Sequence, residues 1–217
     1  MTHIKICGIK EEAHATALAE AGVDFLGIVF ASSPRKVSEA QAKKIVAAVK
    51  QVSPATRVVG VFVGTPASTV KRIFDSCNLD MVQLSGDEPW EYCRELELPL
   101  IKVVRVSRNY RPEQICADLA YGSRRLGKQE HLFLLDSNAR DRFGGTGVTF
   151  DWNLARPIAE QFRVIVAGGL TPDNVTGALE IIAPWGVDVS SGVETKGIKD
   201  MAKILQFIEA VKGYKRG

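Results

Sequence analysis

The fold is decided by Val164-Ile165-Val166-Ala167-Gly168-Gly169 and by Val187-Asp188-Val189-Ser190-Ser191-Gly192. Each run has the pattern of a buried strand that stops on glycine, and a helix start follows each, at residues 171–173 and in residues 194–200. Glycine lets a backbone come close to a ligand, and the N–H groups of a helix start attract anions. In consecutive strand–helix units, these ends predict a phosphate site at the loops after strands 7 and 8 of a (β/α)8 barrel. The alternative is a pair of tight turns that bind nothing.

The rest of the chain alternates between strand-like and helical patterns, with no linker or low-complexity segment. The predicted strands are rich in Val, Ile and Phe, as covered parallel strands are, and span residues 4–9, 24–30, 57–63, 80–84, 100–106, 131–136, 163–167 and 185–190. The predicted helices include residues 38–50, 66–76, 88–96, 112–120, 171–181 and 200–211. Eight such units with short connections predict an α/β fold, a single-domain (β/α)8 TIM barrel over residues 1–217. Residues 122–130 are predicted as a surface loop on the face opposite the site.

Composition agrees with one enclosed domain that binds neither nucleic acid nor a membrane. The 217 residues are 46% hydrophobic and 24% charged, which is ordinary for a globular protein, and the net charge is only +3. No stretch approaches the roughly 20 apolar residues of a transmembrane helix, and the first residues lack the apolar region of a signal peptide. Four cysteines without CxxC spacing then predict reduced thiols in the cytoplasm.

Reactive or charged groups mark four of the predicted strand ends, where a barrel carries its chemistry. They are Cys7 on strand 1, Arg35 after strand 2, Asp136 on strand 6, and Asp188 with Ser190 on strand 8. Plainer interpretations exist, because cysteine is often a small core residue, a loop arginine is often solvated, and an aspartate often caps a turn. Their convergence on one rim favours a functional site.

Cys7 differs from the other cysteines because it lies at the exit of a strand and precedes a glycine. The others lie at a helix end or within helical patterns, where core packing explains them: Cys77, Cys93 and Cys116. Strand alternation places Lys5 on the same face as Cys7, and a nearby ammonium lowers the pKa of a thiol. Lys5 pairing instead with Asp188 as a structural ion pair is an equally open interpretation.

Asp136 ends the apolar run Leu132-Phe133-Leu134-Leu135, a setting that raises the pKa of a carboxyl group and keeps it available as an acid. A cysteine base and a carboxylic acid at a phosphate-binding rim suit proton transfer on a sugar phosphate. The stretch Phe143-Gly144-Gly145-Thr146-Gly147 follows closely and offers backbone N–H groups to a phosphate from a third side.

Taken together, these motifs resemble the phosphoribosylanthranilate isomerase family, barrel enzymes of tryptophan biosynthesis. The resemblance runs through nearly the whole chain and rests on residues 5–9, 30–35, 83–84, 135–136, 144–152, 167–170 and 188–194. A first-strand KxCG, the GGTGxxFDW loop and DVSSGVE are in combination specific to that family. The glycine motifs taken singly are not, because related sugar-phosphate barrels share them.

The resemblance implies an Amadori rearrangement of N-(5'-phosphoribosyl)anthranilate to 1-(2-carboxyphenylamino)-1-deoxyribulose 5-phosphate, with no metal or organic cofactor. Asp136 would protonate the ring oxygen and open the ring to a Schiff base. Cys7 would then take the proton from ribose C2 to give an enolamine, which tautomerises to the ketone. Arg35 would bind the anthranilate carboxylate through its forked, permanently charged guanidinium.

The resemblance also implies which groups bind the phosphate. Phosphate would rest on backbone groups around Gly145-Thr146, Gly168-Gly169 and Ser190-Ser191-Gly192, with Asp188 as an auxiliary polar group. A monomer or a homodimer is expected.

One departure from the family pattern lies after predicted strand 4. The family usually has Gln-Leu-His-Gly there, whereas this chain has Gln83-Leu84-Ser85-Gly86. Serine forms hydrogen bonds but cannot carry the charge of an imidazole. The acid and the base are unaffected, but local ligand contacts and binding affinity are put in doubt.

Other functions fit the sequence less well. A metal-dependent pentose-phosphate epimerase needs histidine and aspartate ligands at strand ends, whereas His3, His14 and His131 lie before strand 1, in the first helix and at the start of strand 6. A histidine-pathway isomerase is expected to have an aspartate in place of Cys7. A barrel that only binds a phosphorylated ligand, or that serves as a subunit of a larger complex, leaves Cys7 and Asp136 unexplained.

Overall fold

The computed structural model describes residues 1–106, 111–137 and 151–215, with the side chain of residue 137 also outside the description. Strands β1 to β8 pair in chain order as a closed barrel, and β9 pairs with β10 in a separate two-stranded sheet. The strands are β1 (His3–Cys7), β2 (Phe25–Val29), β3 (Arg57–Phe62), β4 (Met81–Leu84), β5 (Leu100–Val106), β6 (His131–Ser137), β7 (Val164–Val166), β8 (Gly186–Val189), β9 (Glu194–Thr195) and β10 (Ile198–Lys199). The helices are α1 (Glu12–Glu20), α2 (Glu39–Val52), α3 (Ala67–Cys77), α4 (Trp90–Leu96), α5 (Pro112–Leu126), α6 (Trp152–Ala159), α7 (Val175–Ile182) and α8 (Met201–Gly213).

The predicted (β/α)8 barrel is confirmed, and its eight predicted strands all form, with ends that differ by one or two residues. All residues of β2, β4, β7 and β8 are buried, as expected of parallel strands that are covered on both faces. Neighbouring strands of the barrel are parallel wherever their register is described, for example where Cys7 pairs with Gly27 and Val61 with Gln83. None of the helices within the described residues combines the length and the apolar character needed to cross a membrane.

Contacts between residues divide the chain into two compact units. The first comprises residues 1–4, 104–121 and 133–217, and the second comprises residues 5–103 and 122–132. In the first unit α6 packs on α7 and α7 on α8, and in the second α1, α2, α3 and α4 pack in succession. The prediction of a single domain without an internal boundary stays a prediction.

The prediction of a surface loop over residues 122–130 is wrong for its first five residues, because α5 continues to Leu126. Gly122 is buried in this helix, and a Cβ atom placed there would lie 2.5 Å from the Trp90 ring. The glycine therefore makes room for an indole ring, which the sequence pattern did not indicate. Gly127, with φ of +59°, ends the helix in the left-handed conformation that favours glycine.

Residues 194–200, where the sequence predicted only a helix start, also form two short strands. A short 3-10 helix, Ser191–Val193, follows β8, and β9 and β10 form an antiparallel pair before α8. Asp200 then caps α8, since its side chain accepts hydrogen bonds from the backbone N–H of Ala202 and Lys203.

We predict that Gly122→Ala destabilises the protein although alanine is the better helix former. Alanine gains about 1 kcal/mol of helix propensity, but overpacking against the Trp90 ring costs about 1–3 kcal/mol. The free energy of unfolding, measured with urea, should therefore fall by up to about 2 kcal/mol, the packing cost less the propensity gain. Gly213→Ala is the matched control, because nothing lies within 4 Å of a Cβ atom at the end of α8. Equal or higher stability of both variants would contradict the tight packing at Gly122.

Candidate active site

Cys7 is the last residue of β1, and it is buried. It forms a small apolar cluster with Val29 at the end of β2 and Val61 near the end of β3. Its register partner on β2 is Gly27, and a Cβ atom there would lie 2.7 Å from the Cys7 Sγ atom. Gly27 therefore leaves the space that the thiol occupies at the carboxyl end of the strand.

The other three cysteines lie in helices, as predicted, and all four are free. Burial raises the pKa of Cys93 to about 11, so its thiol stays protonated at neutral pH. Burial also raises the pKa of Cys116, with a further contribution from the charge of Glu113. Neither side chain is suited to act as a thiolate base near pH 7.

Arg35 lies in the loop after β2 and is half-buried. Its backbone N–H donates to the Ser33 Oγ atom at 3.1 Å, which closes a tight local turn. The loop is fastened to β2, because the N–H of Val37 donates to the carbonyl of Val29 at 3.0 Å. The guanidinium is thus carried by a loop with a fixed backbone at the carboxyl end of β2.

Lys5 and Asp188 are ionisable residues buried within strands, as is Lys102 on β5. Lys5, in the middle of β1, has no exposed surface, and Asp188, in β8, is 7% exposed. A buried charge costs several kcal/mol unless other polar groups compensate it. Whether Lys5 acts on the Cys7 thiol or pairs with Asp188 was open from the sequence, and both interpretations stay predictions.

Gln83 belongs to the motif after predicted strand 4 and is buried near the end of that strand. It lies next to the end of β4, is 5% exposed, and donates from Nε2 to the Ser85 Oγ atom at 3.0 Å. Ser85, which stands where the family usually has histidine, thus orients a buried amide. A glutamine in an otherwise apolar strand is the signal that would have identified it.

Asp136 lies next to the end of β6, after four buried apolar residues, and is itself half-buried. The strand ends one residue later than predicted, at Ser137. Asp136 therefore lies where β6 leaves its apolar surroundings. The glycine-rich loop that follows, including Gly145 and Thr146, lies outside the described residues.

The turn after β7 needs its two glycines. Gly168 and Gly169 have φ of +90° and +71°, the left-handed region in which other residues are strained. Asn174 fixes the next residues, since its Oδ1 atom accepts from the Thr171 N–H at 2.8 Å and its Nδ2 atom donates to the Gly169 carbonyl at 3.0 Å. Gly168 is half-buried and Gly169 is exposed, so this fixed turn presents backbone at the surface.

The loops after β7 and β8 touch each other within the same compact unit. A Cβ atom on Gly192 would lie only 1.8 Å from the Leu170 carbonyl oxygen, so glycine is required there. Ser190 and Ser191 precede this contact, at the start of the 3-10 helix. The two predicted phosphate ends are therefore neighbours, which consecutive barrel strands require.

A buried ion pair fastens the loop after β8. The Lys199 Nζ atom on β10 lies 2.7 Å from the Glu194 Oε1 atom and donates to the Ser190 carbonyl at 2.8 Å. The two side chains are 4% and 6% exposed. Sequence reasoning missed this pair, because its residues come together only when β9 and β10 form.

Metal binding was not expected, and the described residues contain no group of three or more His, Cys, Asp or Glu side chains that could hold an ion. His14 lies in α1, and His131 begins β6, as predicted. His3 is the first residue of β1 and does not precede it, and its ring stacks on Trp185.

Known proteins match the chain along nearly its whole length. The family model for N-(5'phosphoribosyl)anthranilate (PRA) isomerase matches residues 4–210. An N-(5'-phosphoribosyl)anthranilate isomerase from Dehalococcoides mccartyi is 46% identical over 212 residues, which are 98% of this chain and 96% of the relative.

Solved structures are also similar to this chain. The first is a structure of mutually generated monomers of dimeric phosphoribosylanthranilate isomerase from Thermotoga maritima. Its TM-score is 0.81 and its sequence identity 33%, over 99% of this chain and 100% of that one. Another, of a phosphoribosyl anthranilate isomerase in complex with reduced 1-(o-carboxyphenylamino)-1-deoxyribulose 5-phosphate, has a TM-score of 0.81 and 35% identity with the same coverage.

We predict that Lys199→Met destabilises the protein by about 3–5 kcal/mol, because it deprives the buried Glu194 carboxylate of its cation. Thermal and urea unfolding measure the loss. The double variant Lys199→Met/Glu194→Leu should recover much of it, since no buried charge is then left unpaired. A single variant as stable as the original chain would show that the ion pair does not fasten this loop.

Proposed function

Because the chain belongs to the N-(5'-phosphoribosyl)anthranilate isomerase family, we propose that Cys7 and Asp136 are the base and the acid of its reaction. The protein is an isomerase of tryptophan biosynthesis that converts N-(5'-phosphoribosyl)anthranilate to 1-(2-carboxyphenylamino)-1-deoxyribulose 5-phosphate. The observation that carries this function is the family match over residues 4–210. The two assignments are supported by the positions of Cys7 and Asp136 at the carboxyl ends of β1 and β6, where barrel enzymes carry their catalytic groups.

Asp136 starts the reaction as a general acid. Its carboxyl group gives a proton to the furanose ring oxygen while the bond from that oxygen to C1 breaks. The nitrogen lone pair forms the C1=N bond, so the product of this step is an open-chain protonated Schiff base. The step requires the neutral acid form of the Asp136 carboxyl group.

Cys7 continues as the general base. Its thiolate takes the proton from C2, and the electron pair of that bond forms a C1=C2 double bond while the Schiff-base nitrogen becomes neutral. The resulting enolamine has a hydroxyl group on C2, and tautomerisation to the ketone completes the isomerisation. A thiolate at the end of β1 suits this step because it is a good proton acceptor near neutral pH.

Substrate binding is divided between charged and backbone groups. We assign the anthranilate carboxylate to Arg35, whose guanidinium forms two parallel hydrogen bonds with a carboxylate. We assign the phosphate to backbone groups of Gly168-Gly169 and Ser190-Ser191-Gly192, two loops that touch and that have fixed backbones. Gly145-Thr146 is proposed as the third phosphate contact and Asp188 as an auxiliary polar group.

Our expectations for cofactors and for the compartment follow from the proposed chemistry and from the cysteines. Proton transfer by the two side chains needs no cofactor or metal, so we expect full activity in the presence of a chelator. The four free cysteines favour a reducing compartment, and we place the protein in the cytoplasm. A monomer or a homodimer, and no binding to nucleic acid or membranes, stay predictions.

We predict that Cys7→Ala and Asp136→Asn each reduce kcat by about 10²–10⁴-fold, the usual contribution of a general acid or base. The assay follows the fluorescence of freshly generated phosphoribosylanthranilate, without added metal and again with a chelator. Cys116→Ala and Asp75→Asn are the matched controls, because both residues lie in helices away from the strand ends. Near-normal turnover by either folded test variant would remove that residue from the mechanism, and loss of wild-type activity with the chelator would contradict the cofactor-free reaction.

We predict that Arg35→Ala mainly raises KM, by about 10–100-fold, which corresponds to the 1.5–3 kcal/mol of hydrogen bonds to a charged group. The carboxylate is distant from the bonds that change, so kcat should stay within a few-fold of the wild type. Lys36→Ala, which removes the neighbouring exposed cation, is the control. Loss of kcat with an unchanged KM would show that Arg35 acts on the chemical step instead.

A further inference from the structure

Gln83 has an acceptor atom that the protein does not use. Its side chain is 95% buried, and among the described residues its Oε1 atom has no hydrogen-bond partner. A buried polar group left in this way destabilises the folded state. Buried carbonyl oxygens in proteins are nearly always paired, so an acceptor retained at this cost calls for a ligand that pairs with it.

The orientation of the Gln83 amide is fixed by its surroundings. Its Nε2 atom donates to Ser85 Oγ, and the Ser85 N–H donates to the Phe62 carbonyl at 2.9 Å. The residues that follow are fastened as well, because Lys102 donates to the Gly86 carbonyl at 3.1 Å and Glu88 accepts from the N–H of a neighbouring loop. Because Nε2 contacts Ser85, Oε1 is the atom of the amide that is left to meet another group.

The Oε1 atom belongs to the same end of the strands as the Cys7 thiol. Gln83 is the register partner of Val61 on β3, and paired residues of neighbouring parallel strands point to the same face. Val61 in turn packs with Cys7 and Val29 in one cluster, within one compact unit. A ligand that reaches the thiol therefore also comes near the unpaired oxygen.

We propose that Gln83 is a further substrate-binding residue, whose Oε1 atom accepts a hydrogen bond from the hydroxyl group on C2 of the sugar. This inference rests on Cys7 as the base, because C2 is then the carbon closest to the thiol, and its hydroxyl is the nearest donor. The hydroxyl is present in the substrate and in the enolamine. In the ketone product C2 carries a carbonyl oxygen, which cannot donate a hydrogen bond. The lone pairs of this oxygen and those of Gln83 Oε1 repel each other.

Gln83 consequently distinguishes the species on the reaction path. It accepts a hydrogen bond from every form that has a C2 hydroxyl and forms none with the ketone. The ketone product is therefore bound less tightly, which favours its release. The reduced form of the product, in which the ketone has become an alcohol, regains the donor. A pair of ligands that differ in one donor at C2 is therefore available as a probe.

The test is fluorescence titration of the Gln83→Leu variant with the reduced product analogue and, separately, with the ketone product. We expect the dissociation constant of the reduced analogue to rise about tenfold, the equivalent of about 1.4 kcal/mol, and that of the ketone to stay unchanged or fall. The melting temperature should stay equal or rise, because an unpaired buried oxygen is replaced by an apolar group. A merely structural glutamine would lower stability and weaken both ligands alike.

The controls separate this inference from the catalytic assignments. Gln129→Leu removes an amide that donates to the carbonyls of Cys93 and Leu98, and it should bind both ligands as the original chain does. Cys7→Ala should bind the reduced analogue normally while turnover is lost, so a failure of the base assignment appears in turnover and not in the Gln83 titration. If Gln83→Leu does not fold, Gln83→Met serves in its place. Unchanged affinity for the reduced analogue, or equal weakening of both ligands, overturns the proposal.

Discussion

Burial of the barrel strands on both faces limits where this protein can place polar groups. Every residue of β7 and β8 is buried, and a polar group within such a strand costs free energy unless it is paired. Such a strand favours a reactive group at the point where it emerges, and Cys7 on β1 and Asp136 on β6, the proposed base and acid, lie at such points. Lys5 and Asp188 are ionisable residues buried inside their strands, and so is Lys102 on β5, which lies 3.5 Å from the Glu88 carboxylate.

The loops after β7 and β8, which we propose bind the phosphate, are ordered by contacts within the protein itself. The Leu170 carbonyl occupies the space beside Gly192, and the buried pair of Lys199 and Glu194 fastens the backbone at Ser190. Buried ion pairs contribute little net stability, since desolvation offsets their attraction. Their effect here is positional, because a backbone that is already ordered loses less entropy when it binds an anion.

Gln83 differs from these ordered loops, because its Oε1 atom, unpaired among the described residues, lowers the free energy of unfolding. Elsewhere in the same unit buried polar groups are paired: the Thr56 hydroxyl donates to the Val23 carbonyl at 3.0 Å, and Lys102 donates to the Gly86 carbonyl. Against that background the Oε1 atom of Gln83 is a local departure from consistent packing. Such departures are expected at functional sites, where selection acts on the ligand and not on the free energy of unfolding.

The number and order of the barrel strands, and the positions of Cys7 and Asp136 at strand ends, follow from the sequence, because apolar runs and the residues that end them are local patterns. The same patterns were wrong for residues 122–126, predicted as loop and found in α5, since the Trp90 ring that makes a buried glycine favourable there is distant in sequence. Which side chains meet depends on the folded chain. The contact of Leu170 with Gly192 and the unpaired oxygen of Gln83 depend on packing between separate strands and loops, which no local pattern encodes.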